Sequence, residues 1–150
     1  MINLEVSIIV SRPIEEVFAY VNDFRNTAQW QTGVVEVRQT SEGPVGKGTQ
    51  LIFVRTLLGR KLEGASEMVV YEPPTKSTLQ STSGPMPFTV TRIFEPTPVG
   101  TKVTLVFEMH PGGVFALAEP LFARSLKRSA EADLGNLKDL LESRVAAATL

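Results

Sequence analysis

Arg92 is the residue whose type and position most favour chemistry on a ligand. It alternates with apolar residues of the same predicted strand, which are Phe88, Val90 and Phe94. Since side chains two apart on a strand point to one face, its guanidinium is expected to enter the apolar side of the sheet. A planar guanidinium binds carboxylate, phosphate or enolate oxygens in a bidentate manner, so Arg92 is a candidate clamp for such a group. The alternative is that it reaches the cavity rim or pairs with an internal carboxylate.

Arg55 raises the same question in an earlier strand. It alternates with Leu51, Phe53 and Leu57, but apolar residues also occupy positions 52 and 54. The pattern therefore leaves two directions open for Arg55, one into the cavity and one toward solvent or a cross-strand partner.

The sequence contains three further candidates for polar chemistry. His110 is the single histidine and ends the last predicted strand near the expected pocket mouth, where an imidazole could exchange protons near neutral pH. It alternates with Glu108, however, and this favours an outward, surface position. For Trp30 and Asp23, beside two short predicted helices, the favoured roles are a packing anchor and a helix cap.

The serine, tyrosine and glutamate residues give weaker indications of a catalytic or metal site. Ser77, Ser81 and Ser83 alternate on one face and could line a pocket, but no glycine elbow or partnered base supports a nucleophilic role. Tyr71 precedes a double proline and is expected to be a packing residue. With one histidine and no cysteine, we expect no metal, because Glu63 and Glu67 form no ligand motif.

Composition excludes several classes of protein. The 150 residues are 43% hydrophobic and 21% charged, with a formal net charge of −1 and no cysteine. No apolar run approaches the roughly 20 residues that span a bilayer, and scattered charge gives no footprint for a nucleic acid. The first ten residues lack the pattern of an export signal, and the loop at 43–48 lacks phosphate-loop spacing. We expect a cytoplasmic protein without a cofactor.

The predicted elements have the order strand, two short helices, six strands and one long helix, in a single α+β domain over residues 1–150. Ser11 is the expected cap of the first short helix, and apolar residues at steps of three and four form the stripe of the long helix. The predicted strands are Leu4–Val10, Val34–Thr40, Thr49–Leu57, Lys61–Tyr71, Lys76–Ser83, Phe88–Glu95 and Thr101–His110. The predicted helices are a short one that Pro13 opens, with Ile14, Val17, Phe18 and Val21 on one stripe, a second short one at Phe24–Gln31, and a long one whose stripe extends from Phe122 to Val145, with Pro120 as a kink or in its first turn.

A curved antiparallel sheet and a straight helix cannot touch everywhere, so this order predicts a cavity between them. Met68 and Val70 are both expected to point inward, and loops 84–87 and 111–113 are expected to gate the cavity. The predicted ligand-binding residues are Arg92, Arg55, Met68, Leu79, Ser81, Phe88, Val90, Phe94, Leu105, Phe107, Met109, Phe115 and Phe122.

Short motifs along almost the whole chain resemble one superfamily. They are Val10-Ser11-Arg12-Pro13-Ile14-Glu15-Glu16-Val17-Phe18, Asp23, Trp30, Gly46-Lys47-Gly48-Thr49, Tyr71-Glu72-Pro73-Pro74, Phe94-Glu95-Pro96 and Gly100-Thr101-Lys102-Val103. In this order they resemble the helix-grip superfamily called SRPBCC, which includes START lipid-transfer domains, the birch pollen allergen and polyketide cyclase-like proteins. The resemblance implies a helix-grip fold with seven strands.

Three functions agree with that resemblance, because the fold alone does not decide activity. The first is binding or transport of a small hydrophobic ligand such as a lipid or polyketide, without catalysis. The second is a polyketide cyclase, aromatase or dehydratase, in which Arg92 polarises a carbonyl. The third is a protein-interaction module without a ligand. In addition, Ile9, Ile93 and Val106 share outward parity and predict a homodimer contact on the convex face.

Overall fold

A computed structural model describes residues 1–57, 59–84, 87–110 and 117–149. Within these residues, a strand and short helices are followed by six more strands and a long helix. The elements are β1 Ile2–Val10, α1 Ile14–Val21, a 3-10 turn Phe24–Asn26, α2 Thr27–Trp30, β2 Val34–Gln39, β3 Gln50–Leu57, β4 Arg60–Glu72, β5 Lys76–Ser81, β6 Phe88–Thr97, β7 Gly100–Met109 and α3 Glu119–Thr149.

The strands form one curved antiparallel sheet in the order β1-β7-β6-β5-β4-β3-β2. Consecutive strands from β2 to β7 are neighbours, and only β1 pairs out of sequence, with β7. The helix α3 packs mainly on β1, where Lys138 Nζ donates to the Ile9 carbonyl at 2.9 Å. This architecture confirms the predicted helix-grip fold.

The core divides into two clusters of buried side chains. The larger cluster joins α1, β1, β6 and β7 to the middle of α3 through Ala130, Leu134, Leu137 and Leu141. The smaller cluster includes Phe24, Leu51, Phe53, Met68 and Leu79. Closer to the start of α3, Phe122 and Leu126 are only partly buried. Among the described residues, α3 is therefore most deeply buried from its middle onward, and an ion pair of 2.9 Å between Glu119 and the Met1 amino group fixes its start.

Local details differ from the predicted boundaries. Pro13, not Ser11, occupies the N-cap position of α1, because the helix begins at Ile14. The Ser11 amide instead donates to the Glu142 carboxylate of α3 at 2.9 Å. The second predicted helix is split into the 3-10 turn and the single turn α2. Asp23 does act as a cap, accepting from the Arg25 amide at 3.2 Å.

A bulge in β4 overturns the expectation that Met68 and Val70 point to the same side. The register shifts between these residues, so Met68 pairs with Leu79 whereas Val70 pairs with Thr78. Leu79 and Thr78 are consecutive on β5 and point to opposite faces, hence Val70 lies on the convex face. Two-residue periodicity cannot reveal an inserted residue, which is why the sequence pattern failed here.

The predicted convex stripe is interrupted by polar residues. Ile9 pairs with Lys102, Ile93 pairs with Thr104, and Val106 pairs with Thr91. The three aliphatic side chains thus stand on successive levels of the sheet, with Lys102 and Thr104 between them. The homodimer stays a prediction.

Two glycine substitutions test the packing between elements. At Gly100, a Cβ atom would collide with the Val10 carbonyl oxygen and approach the Ser11 Cα to 2.8 Å, and both are backbone atoms. At Gly135, in the interior of α3, an added Cβ meets nothing within 4 Å. Gly100→Ala is expected to lower the free energy of unfolding by roughly 2 kcal/mol or more. Gly135→Ala is expected to raise it by about 0.5–1 kcal/mol because alanine favours helix.

Urea denaturation followed by circular dichroism measures both changes. If the two variants move the unfolding midpoint in the same direction, the placement of the β7 start against β1 is wrong.

Candidate functional site

A cavity of about 270 Å³ lies between the sheet and the N-terminal half of α3. Residues of β3, β5, β6 and β7 form the sheet side, and the helix contributes the opposite side. We call it the sheet–helix cavity. Its walls are Trp30, Gln31, Thr32, Gly33, Val34, Phe53, Arg55, Leu79, Phe88, Val90, Arg92, Leu105, Phe107, Leu126, Ser129, Ala130 and Asp133.

The buried and exposed residues of this cavity are separated in space. Arg92, Leu79 and Leu105 are buried and form its floor on the sheet. Thr32 and Ser129 are exposed and mark a mouth between the α2–β2 turn and α3. The cavity is therefore accessible from solvent on one side and closed by the sheet on the other.

A second cavity of about 310 Å³ adjoins the first and shares Arg55, Phe88, Phe107, Leu126 and Gly33 with it. It extends toward Met109, Phe122 and Gly84. Most of the predicted gate lies outside the described residues, and Gly84 is the gate residue seen to line this space.

A separate hollow of about 460 Å³ lies beside the 3-10 turn, between α1 and the β2–β3 connection. Its charged residues, Asp23 and Arg25, form an ion pair with each other at 2.7 Å. Since that pairing satisfies both charges, this hollow is a weaker candidate for a site than the sheet–helix cavity.

Arg92 occupies the floor with almost no partner. Its side chain is 3% exposed, and one long contact of 3.5 Å joins Nη1 to the Val21 carbonyl oxygen. The Nε donor has no hydrogen-bond partner among the described residues. The ring of Phe24 lies 5.5 Å from its guanidinium carbon and adds a cation–π contact. No carboxylate in the described part of the chain forms an ion pair with it.

Arg55 brings a second positive charge to the same cavity, which answers the open question about its direction. Its guanidinium carbon lies 4.8 Å from the ring centre of Phe53 and 5.9 Å from that of Phe88. Burial lowers the pKa of Arg55. Like Arg92, it has no acidic partner within the described residues.

The two arginines destabilise each other's charged forms. Burial lowers the pKa of Arg92 to about 10, and the nearby charge of Arg55 acts in the same direction. At neutral pH the guanidinium is nevertheless protonated. The floor of the cavity is therefore a positively charged surface with free donors and no counter-ion from the described chain.

Two neutral buried groups also lack a hydrogen-bond partner. Trp30 is 1% exposed and lines the cavity, and its Nε1 donor has no partner in the described chain. Ser77 is fully buried and stands opposite Arg92 in the β5–β6 register; its hydroxyl has no partner among the described residues, but its side chain is not part of the cavity wall. The sequence predicts a packing anchor at Trp30; the side chain is buried as expected but also forms part of the cavity wall.

Asp133 is the acidic residue of the cavity wall, and the sequence reasoning missed it. Burial raises its pKa, while hydrogen bonds from Thr32 oppose that change. The Thr32 amide and hydroxyl both donate to Oδ1, at 3.3 and 3.4 Å. In the sequence, Asp133 lies beside the apolar stripe of α3, where charged residues are usually solvated. The stripe does not show which turn of the helix borders a cavity, so the pattern gave no reason to select Asp133.

The predicted ligand-binding residues fall into four groups. Those on the wall of the sheet–helix cavity are Arg92, Arg55, Leu79, Phe88, Val90, Leu105 and Phe107, and those on the adjoining cavity include Met109 and Phe122. Met68 and Phe94 are buried in the two core clusters, away from both walls. The Ser81 hydroxyl accepts from the Phe88 amide at 2.9 Å and stands on neither wall. Phe115 lies outside the described residues.

The other candidates do not converge on this site. His110 is exposed at the end of β7. Tyr71 packs against Phe18, with ring centres 5.5 Å apart, as a packing residue would.

None of the helices in the described chain combines the length and the hydropathy of a membrane-spanning segment.

The curved sheet, the covering helix and the cavity between them define a helix-grip protein of the SRPBCC superfamily, as the motifs predicted. A family model described as "Polyketide cyclase / dehydrase and lipid transport" matches residues 1–142, and the chain belongs to this family. No protein with a curated description matches the sequence.

Solved structures share the fold at low sequence identity. The protein TTHA0849 from Thermus thermophilus has a TM-score of 0.81 and 20% identity, over 99% of this chain and 100% of that one. The di-domain ARO/CYC StfQ from the steffimycin biosynthetic pathway has a TM-score of 0.78 and 16% identity, over 96% of this chain and 52% of that one. Ara h 8.0201 has a TM-score of 0.72 and 14% identity, over 95% and 98% of the two chains.

If the role of Arg92 is to bind a ligand, replacing it with an uncharged residue is expected to stabilise the ligand-free protein. Its folded-state pKa of about 10 lies below the ordinary value for arginine, so the cost of burying the charge is fully present at pH 7 and decreases only above about pH 10. Replacing a buried charge by an apolar side chain of similar length is commonly neutral or stabilising. We expect Arg92→Met to raise the free energy of unfolding at pH 7 by roughly 1–3 kcal/mol.

Urea denaturation of protein refolded free of ligand measures this change. Arg25→Met, which removes an arginine side chain that is 89% exposed, is the matched control and is expected to leave the unfolding midpoint nearly unchanged. A loss of stability in Arg92→Met would mean that the guanidinium supports the fold.

Proposed function

We propose that this protein binds a small, mainly apolar molecule that carries an acidic or enolic oxygen, with that oxygen directed at Arg92 in the sheet–helix cavity. The observation that carries the proposal is the buried guanidinium whose Nε has no partner in the described chain. Such donors are rarely left without a partner in folded proteins. A ligand oxygen supplies the missing one.

Charge favours an anionic group over a neutral acceptor. Arg92 and Arg55 lie on one cavity wall, and the described chain places no carboxylate in an ion pair with either. A ligand anion bound between them would offset both the burial cost and their mutual repulsion. A carboxylate also matches the planar donor fork of a guanidinium.

The rest of the cavity wall indicates the chemical character of the remainder of the ligand. Apart from the arginines, the buried part of the wall consists of apolar and aromatic side chains such as Leu79, Leu105 and Phe53. Ligand pockets in proteins commonly have about 300–1,000 Å³. The sheet–helix cavity, at about 270 Å³, is at the small end of that range, and the adjoining cavity extends the space available. A ligand of one or two rings, or a medium-length chain, suits these dimensions.

Binding without catalysis is the function that the floor of the cavity supports better. Acid–base catalysis on a group held by Arg92 requires a proton donor or acceptor within hydrogen-bond reach. In the described chain, the one group hydrogen-bonded to Arg92 is the Val21 carbonyl. Retention of a ligand by charge and apolar contact needs nothing more than the arrangement present, and it agrees with a family whose description includes lipid transport.

Matched acid and alcohol ligands test the proposal. The probes are cinnamate, 2-naphthoate and decanoate, each compared with the primary alcohol of the same carbon skeleton by isothermal titration calorimetry. Hydrogen bonds between charged groups contribute about 1.5–3 kcal/mol, so we expect the best acid to bind at least about tenfold more tightly than its alcohol. Arg92→Met is expected to reduce that preference at least about fivefold, because the apolar contacts of acid and alcohol remain while only Arg55 is left to attract the acid.

Arg25→Met controls for the change in net charge and is expected to keep the preference for acids. Equal affinity for acid and alcohol in the unmodified protein, or a preference that is as large in Arg92→Met as in the unmodified protein, would exclude Arg92 as the acid-binding group.

A further inference from the structure

The sheet–helix cavity has polar groups of opposite charge on opposite walls. Arg92 belongs to β6 on the sheet side and is buried, whereas Asp133 belongs to α3 and is partly buried at the mouth. Apolar side chains, among them Leu105 and Phe107, line the same cavity. One space thus has a donor-rich floor and an acceptor at its entrance.

The two charges do not neutralise each other. Burial and Arg55 account for the lowered pKa of Arg92, whereas burial and Thr32 account for the shift in the pKa of Asp133. No salt bridge connects Asp133 to an arginine within the described residues. Each group therefore remains available to a ligand that reaches it.

The hydrogen-bonding capacity of Asp133 is largely unused. Both bonds from Thr32 go to Oδ1, at 3.3 and 3.4 Å, which is longer than the usual 2.7–3.2 Å. Oδ2 accepts no hydrogen bond from the described chain, although an ionised carboxylate has about four acceptor positions. A partly buried acceptor with so few donors is suited to one from outside the protein.

We propose that Asp133 forms a second polar subsite, which accepts a hydrogen bond from a hydroxyl or amine at the end of the ligand opposite its acidic group. This inference rests on the proposed binding of an acidic ligand by Arg92. It narrows the ligand class to small hydroxy acids or amino acids with an apolar middle, since such molecules satisfy both walls at once.

A purely structural role for Asp133 makes a different prediction. Its contact with Thr32 joins α3 to the α2–β2 turn, a connection that the Asn136 side chain also makes by donating to the Trp30 carbonyl at 3.3 Å. If that connection were the function of Asp133, removing the Thr32 hydroxyl, which supplies one of its two hydrogen bonds, would change ligand affinity in the same direction as removing the carboxylate.

The test compares each acid probe with its distally hydroxylated form by isothermal titration calorimetry. The pairs are cinnamate with 4-hydroxycinnamate, 2-naphthoate with 6-hydroxy-2-naphthoate, and decanoate with 10-hydroxydecanoate. We expect at least one hydroxylated acid to bind about tenfold more tightly than its parent. Asp133→Ala is expected to remove this gain while affinity for the parent acid changes less than threefold.

Two further variants separate a direct contact from a structural one. Thr32→Val leaves the carboxylate in place and is expected to keep the gain from the hydroxyl. Asp139→Ala removes an exposed carboxylate from the same helix and is also expected to keep the gain in affinity from the ligand hydroxyl.

The outcomes distinguish the two proposals. If acids bind through Arg92 but no hydroxyl improves affinity in the unmodified protein, or if Thr32→Val loses the gain as Asp133→Ala does, the second subsite is wrong and the proposed function stands. If no acid binds in preference to its alcohol, the proposed function fails and this inference fails with it.

Discussion

The buried guanidinium of Arg92 is the constraint on which this account depends. A charged group removed from water is costly unless charge and hydrogen bonds replace its hydration. Here the described chain supplies one long contact to a carbonyl and the face of one aromatic ring. A second arginine nearby adds repulsion instead of compensation. A site that is energetically incomplete without an anion is well suited to hold one.

The fold creates the room for that site through uneven packing of a single helix. Leu134, Leu137 and Leu141 fix the C-terminal half of α3 against β1 and the central strands. Nearer its start, α3 passes over the concave face, where the sheet curves away and a cavity remains. The same helix therefore provides stability at one end and a ligand-facing wall at the other, and the position of Asp133 at this transition places a carboxylate at the entrance.

Much of the fold could be predicted from local patterns. Alternation in β1, β6 and β7 depends only on neighbouring residues, and it correctly oriented Arg92 and the apolar floor. The order of the elements indicated a helix over a sheet, because few other arrangements bury one apolar stripe and one apolar face. The bulge after Met68 could not be predicted, since a single inserted residue reverses parity without a marker in composition.

The parts of the site that were missed depend on long-range geometry. A tryptophan is equally suited to fill a core or to line a cavity, so the sequence does not distinguish these two roles for Trp30. The position of α3 over the α2–β2 turn decides which role it has. Asp133 and Thr32 are 101 positions apart in sequence, so no local pattern relates them. The missing partner of Arg92 is likewise visible only when every neighbouring strand and helix is in place.

The most direct test of the central claim is native mass spectrometry of the protein purified from its own host without denaturation, in the unmodified form and as Arg92→Met. We expect a small organic acid with an apolar body to accompany the unmodified protein and to be lost from the variant. A neutral molecule without any acidic or enolic group, retained equally by both forms, would contradict it.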